Sequence, residues 1–315
     1  MSKKRLAAVG LLVCLVTSAA VLASSASAGD RKAQESVKLG FITKFPVDFY
    51  FTLVGGAKTW QKTHGNVCVT YAQGKSATDD AGEIAAIQDM VASGVKGIAI
   101  TPTSAAVIPA LNRAVKAGVK VVLMDNDLPS WTKKTSVVAT NNLKGGVLAG
   151  KWLAGKLKAG DTLGILEGVP GVPALDDRVK GMFSGLGALK SKIKVVSKLE
   201  TDCDQTKGAA AAQTMLTANP DLTAIYSACG PPALGAIQAI KNAHVKPSAI
   251  ILVGFDGLAT EVKAVRAGTE DATVAQHPDK IGSLGVATLY AAVQGRTVAR
   301  NVDTGTAIIT PATAK

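Results

Sequence analysis

Aromatic residues make up only 4% of the 315-residue chain, and histidine occurs three times, as His64, His244 and His277. Nucleic-acid surfaces interleave basic side chains with stacking rings. Here the lysines and arginines are scattered singly, so the net charge of +12 reads as a solvated basic surface, and no nucleic-acid partner is expected. Cysteine is as scarce: Cys14, Cys68, Cys203 and Cys229 form no CxxC and no Cys/His cluster, which argues against a metal site. There is no G-x-S-x-G nucleophile, and the glycine pairs at Gly55 and Gly145 lack the spacing of phosphate loops. With no acid, base and nucleophile brought together, the sequence argues for binding over catalysis, and no cofactor is expected.

The one strongly apolar run is at the start. MSKKRLAAVGLLVCLVTSAAVLASSASAGD has a basic head at Lys3, Lys4 and Arg5, an apolar stretch, and small residues ending Ala26-Ser27-Ala28. This pattern predicts a secretory leader over residues 1–28, cleaved near Ala28. A lipid anchor through Cys14 is the weaker alternative, because Val13 is bulky where a small residue is wanted. Cleavage would remove three positive charges and leave about +9. No later segment is long and apolar enough to span a bilayer.

What remains alternates between short β-rich runs and helical patterns almost from end to end, which predicts parallel sheets covered by helices on both faces. VKLGFIT, NVCVTYA, KGIAI and KVVLMD read as strands, and GEIAAIQDMVASG places Ile84, Ile87 and Val91 on one helical face. The pattern then repeats: DTLGILEG corresponds to VKLGFIT, TAIYSACG to KGIAITPT, and AIILVGFDG to KVVLMDND. Two similar doubly wound α/β lobes are therefore expected side by side. In open α/β sheets ligands sit beyond the carboxyl ends of strands. Asp125 and Asp256 end corresponding strands of the two halves, so both carboxylates are expected in one cleft.

The segment DNDLPSW admits several chemistries: a divalent metal, phosphoryl transfer, acceptance of hydrogen bonds from hydroxyls, or a plain solvated turn, the reading favoured for Asp127. DNDLPSWTKKTS lacks the glycine and closing glutamate of a calcium loop. A carboxylate can accept from two neighbouring sugar hydroxyls at once. Phe49 and Tyr50, just past the first strand, could cover the C–H face of such a ligand or equally pack into the core.

Taken together, FITKFPVDFYFTLVGGAK, ITPTSAAVIPAL, VVLMDND, VVATNNLKGGVLAGKWLA, PPALGAIQAI, ILVGFDG and ATVAQHPDKIG resemble the ribose-type periplasmic sugar-binding proteins of ABC importers. The match covers nearly all of the chain after the leader. It implies the type I periplasmic binding protein fold, with two lobes joined by three hinge strands near 139–142, 275–278 and 301–304. The first lobe is then 29–140 plus 277–302 and the second 141–276 plus 303–315. It further implies a monomer that delivers a small sugar to an ABC permease in the membrane.

Carried over by position, the resemblance puts ligand contacts on Phe49, Tyr50, Thr101, Asp125, Asn141, Asp256 and Gln276. It also marks departures: Asn126 and Asp176 stand where such proteins carry arginines, and Cys203 and Cys229 replace an aromatic and an asparagine. The two cysteines then approach the same cleft, and export permits a disulfide between them, which would contribute roughly 2–4 kcal/mol. With three aspartates and no arginine, the pocket would favour a donor-rich ligand of four to six carbons, leaning to an acyclic polyol. Lys44, Asp125 and Asp176 are also similar to the ligand set of proteins that bind the furanosyl quorum signal, so a small polyhydroxylated signal is the alternative ligand. A chemosensory role without import is the alternative function.

Overall fold

The computed structural model describes residues 36–246 and 249–314. The leader expected over residues 1–28, its cleavage site and the alternative anchor at Cys14 lie outside the described residues.

Two six-stranded sheets form. The first contains β1 (Val37–Thr43), β2 (Val67–Gln73), β3 (Gly97–Ile100), β4 (Lys120–Met124), β5 (Ser136–Ala139) and β11 (Asn301–Asp303), in the order β11-β5-β4-β3-β1-β2. The second contains β6 (Thr162–Glu167), β7 (Lys194–Glu200), β8 (Ala224–Ser227), β9 (Ile251–Asp256), β10 (Ala272–Ala275) and β12 (Ala307–Ile309), in the order β12-β10-β9-β8-β6-β7. The orders correspond strand for strand, so the internal repeat seen in the sequence is a repeat of topology. Every pairing is parallel except β12 with β10, which is antiparallel.

GIAI of β3 and AIYS of β8 are buried along their whole length. A strand with helices on both faces has no solvent side, so it carries a continuous apolar run instead of alternation. In the first lobe one face packs against α1 (Asp48–Lys62) and α9 (Pro278–Val293), joining Leu39, Phe41, Leu53, Met124 and Leu289. The other packs against α2 (Asp80–Ala92) and α3 (Ile108–Lys116), joining Ile42, Ile87, Ile98, Leu111 and Leu123. The second lobe has the same plan, with α4 (Asn142–Ala154) and α5 (Pro173–Gly185) on one face and α6 (Gln205–Ala218) and α7 (Gly230–Asn242) on the other. α4 and α5 approach at backbone distance: a Cβ on Gly150 would sit 2.0 Å from the Met182 carbonyl oxygen, so only glycine fits.

The chain passes between lobes at 140–141, 276–277 and 304–306. Asp303 still pairs with Ala139 in the first sheet, so the third passage comes after the boundary expected at 302. Its carboxylate accepts from the backbone N–H groups of Asn141 at 3.3 Å and Gly305 at 2.9 Å, tying two of the passages together. The passages bring the carboxyl ends of both sheets to one interlobe cavity.

Candidate functional site

Asp125 follows β4 and Asp256 ends β9, the corresponding strand of the other lobe. Both have positive φ, 62° and 113°, a conformation that turns the chain off the strand at a cost for a residue with a Cβ. They are 6% and 7% exposed and line a cavity of about 50 Å³ between the lobes. Lys44, Phe49, Tyr50 and Asn126 line it from the first lobe, and Arg178, Cys203, Cys229 and Gln276 from the second and its passage. Val47, Ala77, Val169, Leu175 and Pro231 supply apolar wall.

Asp125 is held on one oxygen. The Tyr50 hydroxyl donates to Oδ2 at 3.1 Å and Asn126 Nδ2 at 3.3 Å, while Oδ1 makes no hydrogen bond among the described residues. Burial pushes this carboxyl above its usual range, with Arg178 and Lys44 opposing the rise. The Tyr50 hydroxyl is pushed up as well, by burial first and by the neighbouring Asp125 charge. Tyr50 meets Phe49 edge-on at 5.2 Å between ring centroids, a contact that holds the two rings in one relative orientation.

Asp256 is held on both oxygens. Arg178 Nη1 donates to Oδ1 at 3.1 Å and Gln276 Nε2 at 2.7 Å, and the Gly230 N–H donates to Oδ2 at 3.0 Å. Burial raises its pKa and Arg178 opposes the rise most strongly. Arg178 itself is only 4% exposed. Its Nε donates to Asn142 Oδ1 at 2.9 Å, its Nη1 also reaches the Ala228 carbonyl at 2.8 Å, and the guanidinium lies 4.0 Å from the Phe255 ring centroid.

Lys44 is 5% exposed, and its Nζ has no hydrogen-bond or ion-pair partner among the described residues. Burial lowers its pKa, with Asp125 and Glu83 opposing. Glu83 lies behind it at 2% exposure and accepts from the Thr103 hydroxyl at 2.5 Å and the Thr103 N–H at 2.8 Å. Burial raises Glu83 to about 7.

Three of the expected site residues do not line this cavity. Asp176 is exposed, receives the Gly171 N–H at 3.4 Å, and borders an outer groove with Glu167, Lys180 and Lys198. On a helix, two residues span about 200°, so within α5 Asp176 points away from the cavity and Arg178 toward it. The second-lobe arginine is therefore present. Asn141 is exposed and caps α4 by accepting from the Lys144 N–H at 3.0 Å, whereas the next residue, Asn142, is buried against Arg178. Thr101 is fully buried with its hydroxyl unpartnered and does not line the cavity.

Arg178 carries a signal that sequence reasoning missed. It falls four residues from both Ala174 and Met182 on the buried stripe of α5, where a charge requires a partner. Cys203 and Cys229 are joined in a disulfide with Cα atoms 5.5 Å apart. Asp127 lies outside this cavity and pairs with Lys134 at 2.5 Å, in keeping with a turn residue. Among the described residues no cluster suits a metal ion, and no helix is long and apolar enough to cross a membrane.

The free polar groups that remain are mixed. Asp125 Oδ1 and Gln276 Oε1 can accept, and Lys44 Nζ and Arg178 Nη2 can donate. Two cations and two carboxylates leave the wall without formal net charge. The arrangement suits a small neutral molecule whose oxygens both give and take hydrogen bonds.

Comparison with known proteins points the same way. A family model described as a periplasmic binding protein domain matches residues 39–297. The chain is 34% identical over 280 residues to the ribose import binding protein of Haemophilus influenzae, covering 89% of this chain and 92% of that one. An ABC transporter solute-binding protein from Burkholderia multivorans, whose unknown ligand is represented as alpha-D-erythrofuranose, superimposes with a TM-score of 0.80 at 31% identity, over 87% of this chain and 99% of that one. One from Mycobacterium smegmatis with bound glycerol superimposes with a TM-score of 0.82 at 28% identity, over 89% and 96%.

Proposed function

The chain belongs to the periplasmic binding protein family of sugar-binding ABC-transport components, and from that premise we propose that it captures a neutral sugar or sugar alcohol of four to six carbons. The captured ligand is handed to a membrane permease, and the protein acts as a monomer after export and removal of its leader. The task is capture and not catalysis.

The observation that carries this reading is the pair of buried carboxylates, Asp125 and Asp256, one from each lobe, bordering one uncharged cavity beside Lys44 and Arg178. A ligand touching both lobes gains its contacts only when they are together, so binding favours the closed arrangement by that differential affinity. The relatives above are named for ribose or are described with erythrofuranose or glycerol, all small and hydroxyl-dense. An affinity near micromolar would correspond to about −8 kcal/mol.

The preference for an acyclic polyol rested on Asp176 in the pocket and no arginine. With Arg178 there instead, a ring or carbonyl oxygen has a donor, so ring sugars and polyols are served alike. The resemblance to receptors for a furanosyl quorum signal loses the same residue, retaining only Lys44 and Asp125.

The test is a thermal-shift screen of the exported chain against pentoses, hexoses and four- to six-carbon polyols, followed by calorimetry. A ligand at about a hundred times its Kd stabilises by about 2.7 kcal/mol. Absence of any shift with every neutral polyhydroxy compound overturns the reading, as does undiminished binding in both Asp125→Ala and Asp256→Ala.

A further inference from the structure

The disulfide sits where the second lobe presents its charges. Cys229 precedes α7, and the residues either side of it hold the site: the Ala228 carbonyl accepts from Arg178 Nη1 at 2.8 Å, and the Gly230 N–H donates to Asp256 Oδ2 at 3.0 Å. The Cys229 carbonyl is anchored in turn by the Ser227 hydroxyl at 2.6 Å. Cys203 comes from the turn between β7 and α6, where Asp202 and Cys203 are consecutive non-glycine residues in the left-handed region, with φ of 51° and 54°. Such a pair persists only where its surroundings over-determine it. Both cysteines also line the cavity.

We propose that the Cys203–Cys229 disulfide is a positioning element for ligand capture: it fixes the backbone at 228–230 so that Arg178 and Asp256 meet the ligand in one geometry. This rests on the sugar-binding reading of the cavity. A bridge serving stability alone could lie anywhere in the lobe, whereas this one ties the segment bonded to both charged groups to the turn beside it. Cutting it removes the covalent tie between the turn at 201–204 and this segment. The Gly230 N–H and Ala228 carbonyl are then placed by non-covalent contacts: the helix start, the Ala228 N–H on the Leu166 carbonyl at 2.9 Å and the Ser227 hydroxyl on the Cys229 carbonyl.

The test compares wild type with Cys203→Ser/Cys229→Ser, with the single variant Cys203→Ala in case the double variant does not fold, and with Met215→Ala. Met215 is fully buried on α6 and does not line the cavity, so its truncation lowers stability without touching the site. Two readouts are taken at a temperature where each protein is folded: amide hydrogen exchange at Gly230 without ligand, and calorimetry with D-ribose as probe. The cysteine variants are expected to lose protection at Gly230 and to bind about tenfold more weakly. Met215→Ala is expected to keep both properties while melting earlier. Unchanged Gly230 protection in a folded cysteine variant overturns the proposal, as does an equal loss of binding in Met215→Ala. If wild type binds neither D-ribose nor any sugar or polyol of the screen, the functional reading fails, and the ligand-free exchange measurement still decides the role of the bridge.

Discussion

Replacing Arg178 by methionine keeps much of the side chain's volume and removes its charge. Asp256 would then stay 7% exposed with Gly230 and Gln276 as donors but no cation beside it. Breaking a buried ion pair by removing one partner costs about 3–5 kcal/mol. At about 2–4 °C per kcal/mol for a unit of this size, the melting temperature should fall by about 6–20 °C. Asp256 can relieve part of that cost by taking up a proton. Its pKa in the folded protein is already raised, and Arg178 is the strongest influence holding it down, so the variant raises it further.

A carboxyl with a raised folded pKa contributes stability that is fully present below its unfolded value, about 3.9, and lost as pH rises through the folded value. The deficit of Arg178→Met should therefore be small near about pH 4.5 and grow toward about pH 8, by at most about 1.4 kcal/mol per pH unit. Arg178→Met/Asp256→Asn removes both charges and should recover most of the loss, since neutral replacement of a whole buried pair is often tolerated. Urea unfolding of the three proteins at both pH values measures this. Equal deficits at the two pH values, with no recovery in the double variant, would show that the pair is not the source of the destabilisation.

Asp176→Ala should bind the same ligand within about twofold of wild type, because the side chain is exposed and faces an outer groove; calorimetry showing lost binding would return Asp176 to the site. Glu83, raised by burial to about 7, should contribute stability that is present below about pH 4.5 and fades as pH rises through about 7, of order 3 kcal/mol. Glu83→Gln should remove that part of the pH dependence, and parallel curves for the two proteins would refute the assignment. Gly150→Ala should destabilise by about 1–3 kcal/mol in urea unfolding, because its Cβ meets backbone, which cannot rotate aside; a neutral result would mean that α4 and α5 separate freely.

The lobes were readable from the sequence because each strand repeats a local pattern, and the repeated strands occupy the same positions in both sheets. Asp125 and Asp256 were readable for the same reason: a strand end is fixed by the strand. Arg178 and Asn142 were harder, because each sits beside a polar neighbour of similar type and only helix phase separates them. In VPALDDRVK the four charges, Asp176, Asp177, Arg178 and Lys180, are not told apart by position in the chain alone, and the face shared with Ala174 and Met182 selects Arg178. Asn141 was expected at the ligand and instead caps α4, a role open to any asparagine before a helix. The leaning to an acyclic ligand loses the support of Asp176, since it counted charges without counting which of them face inward.

The three passages between lobes make the order of synthesis differ from the order of assembly. α9, which covers one face of β3, β4 and β5, is made only after residue 277, once nearly the whole second lobe has emerged. Until then Met124 and Val138 lack the α9 side chains Ile281, Val286 and Leu289 that share their core cluster. Contacts so distant in sequence form slowly, because the loop between them must be closed first, and a chain whose first lobe waits on α9 is expected to stay open longer during synthesis. For a protein that must cross a membrane before it works, a scaffold slow to close has a use of its own.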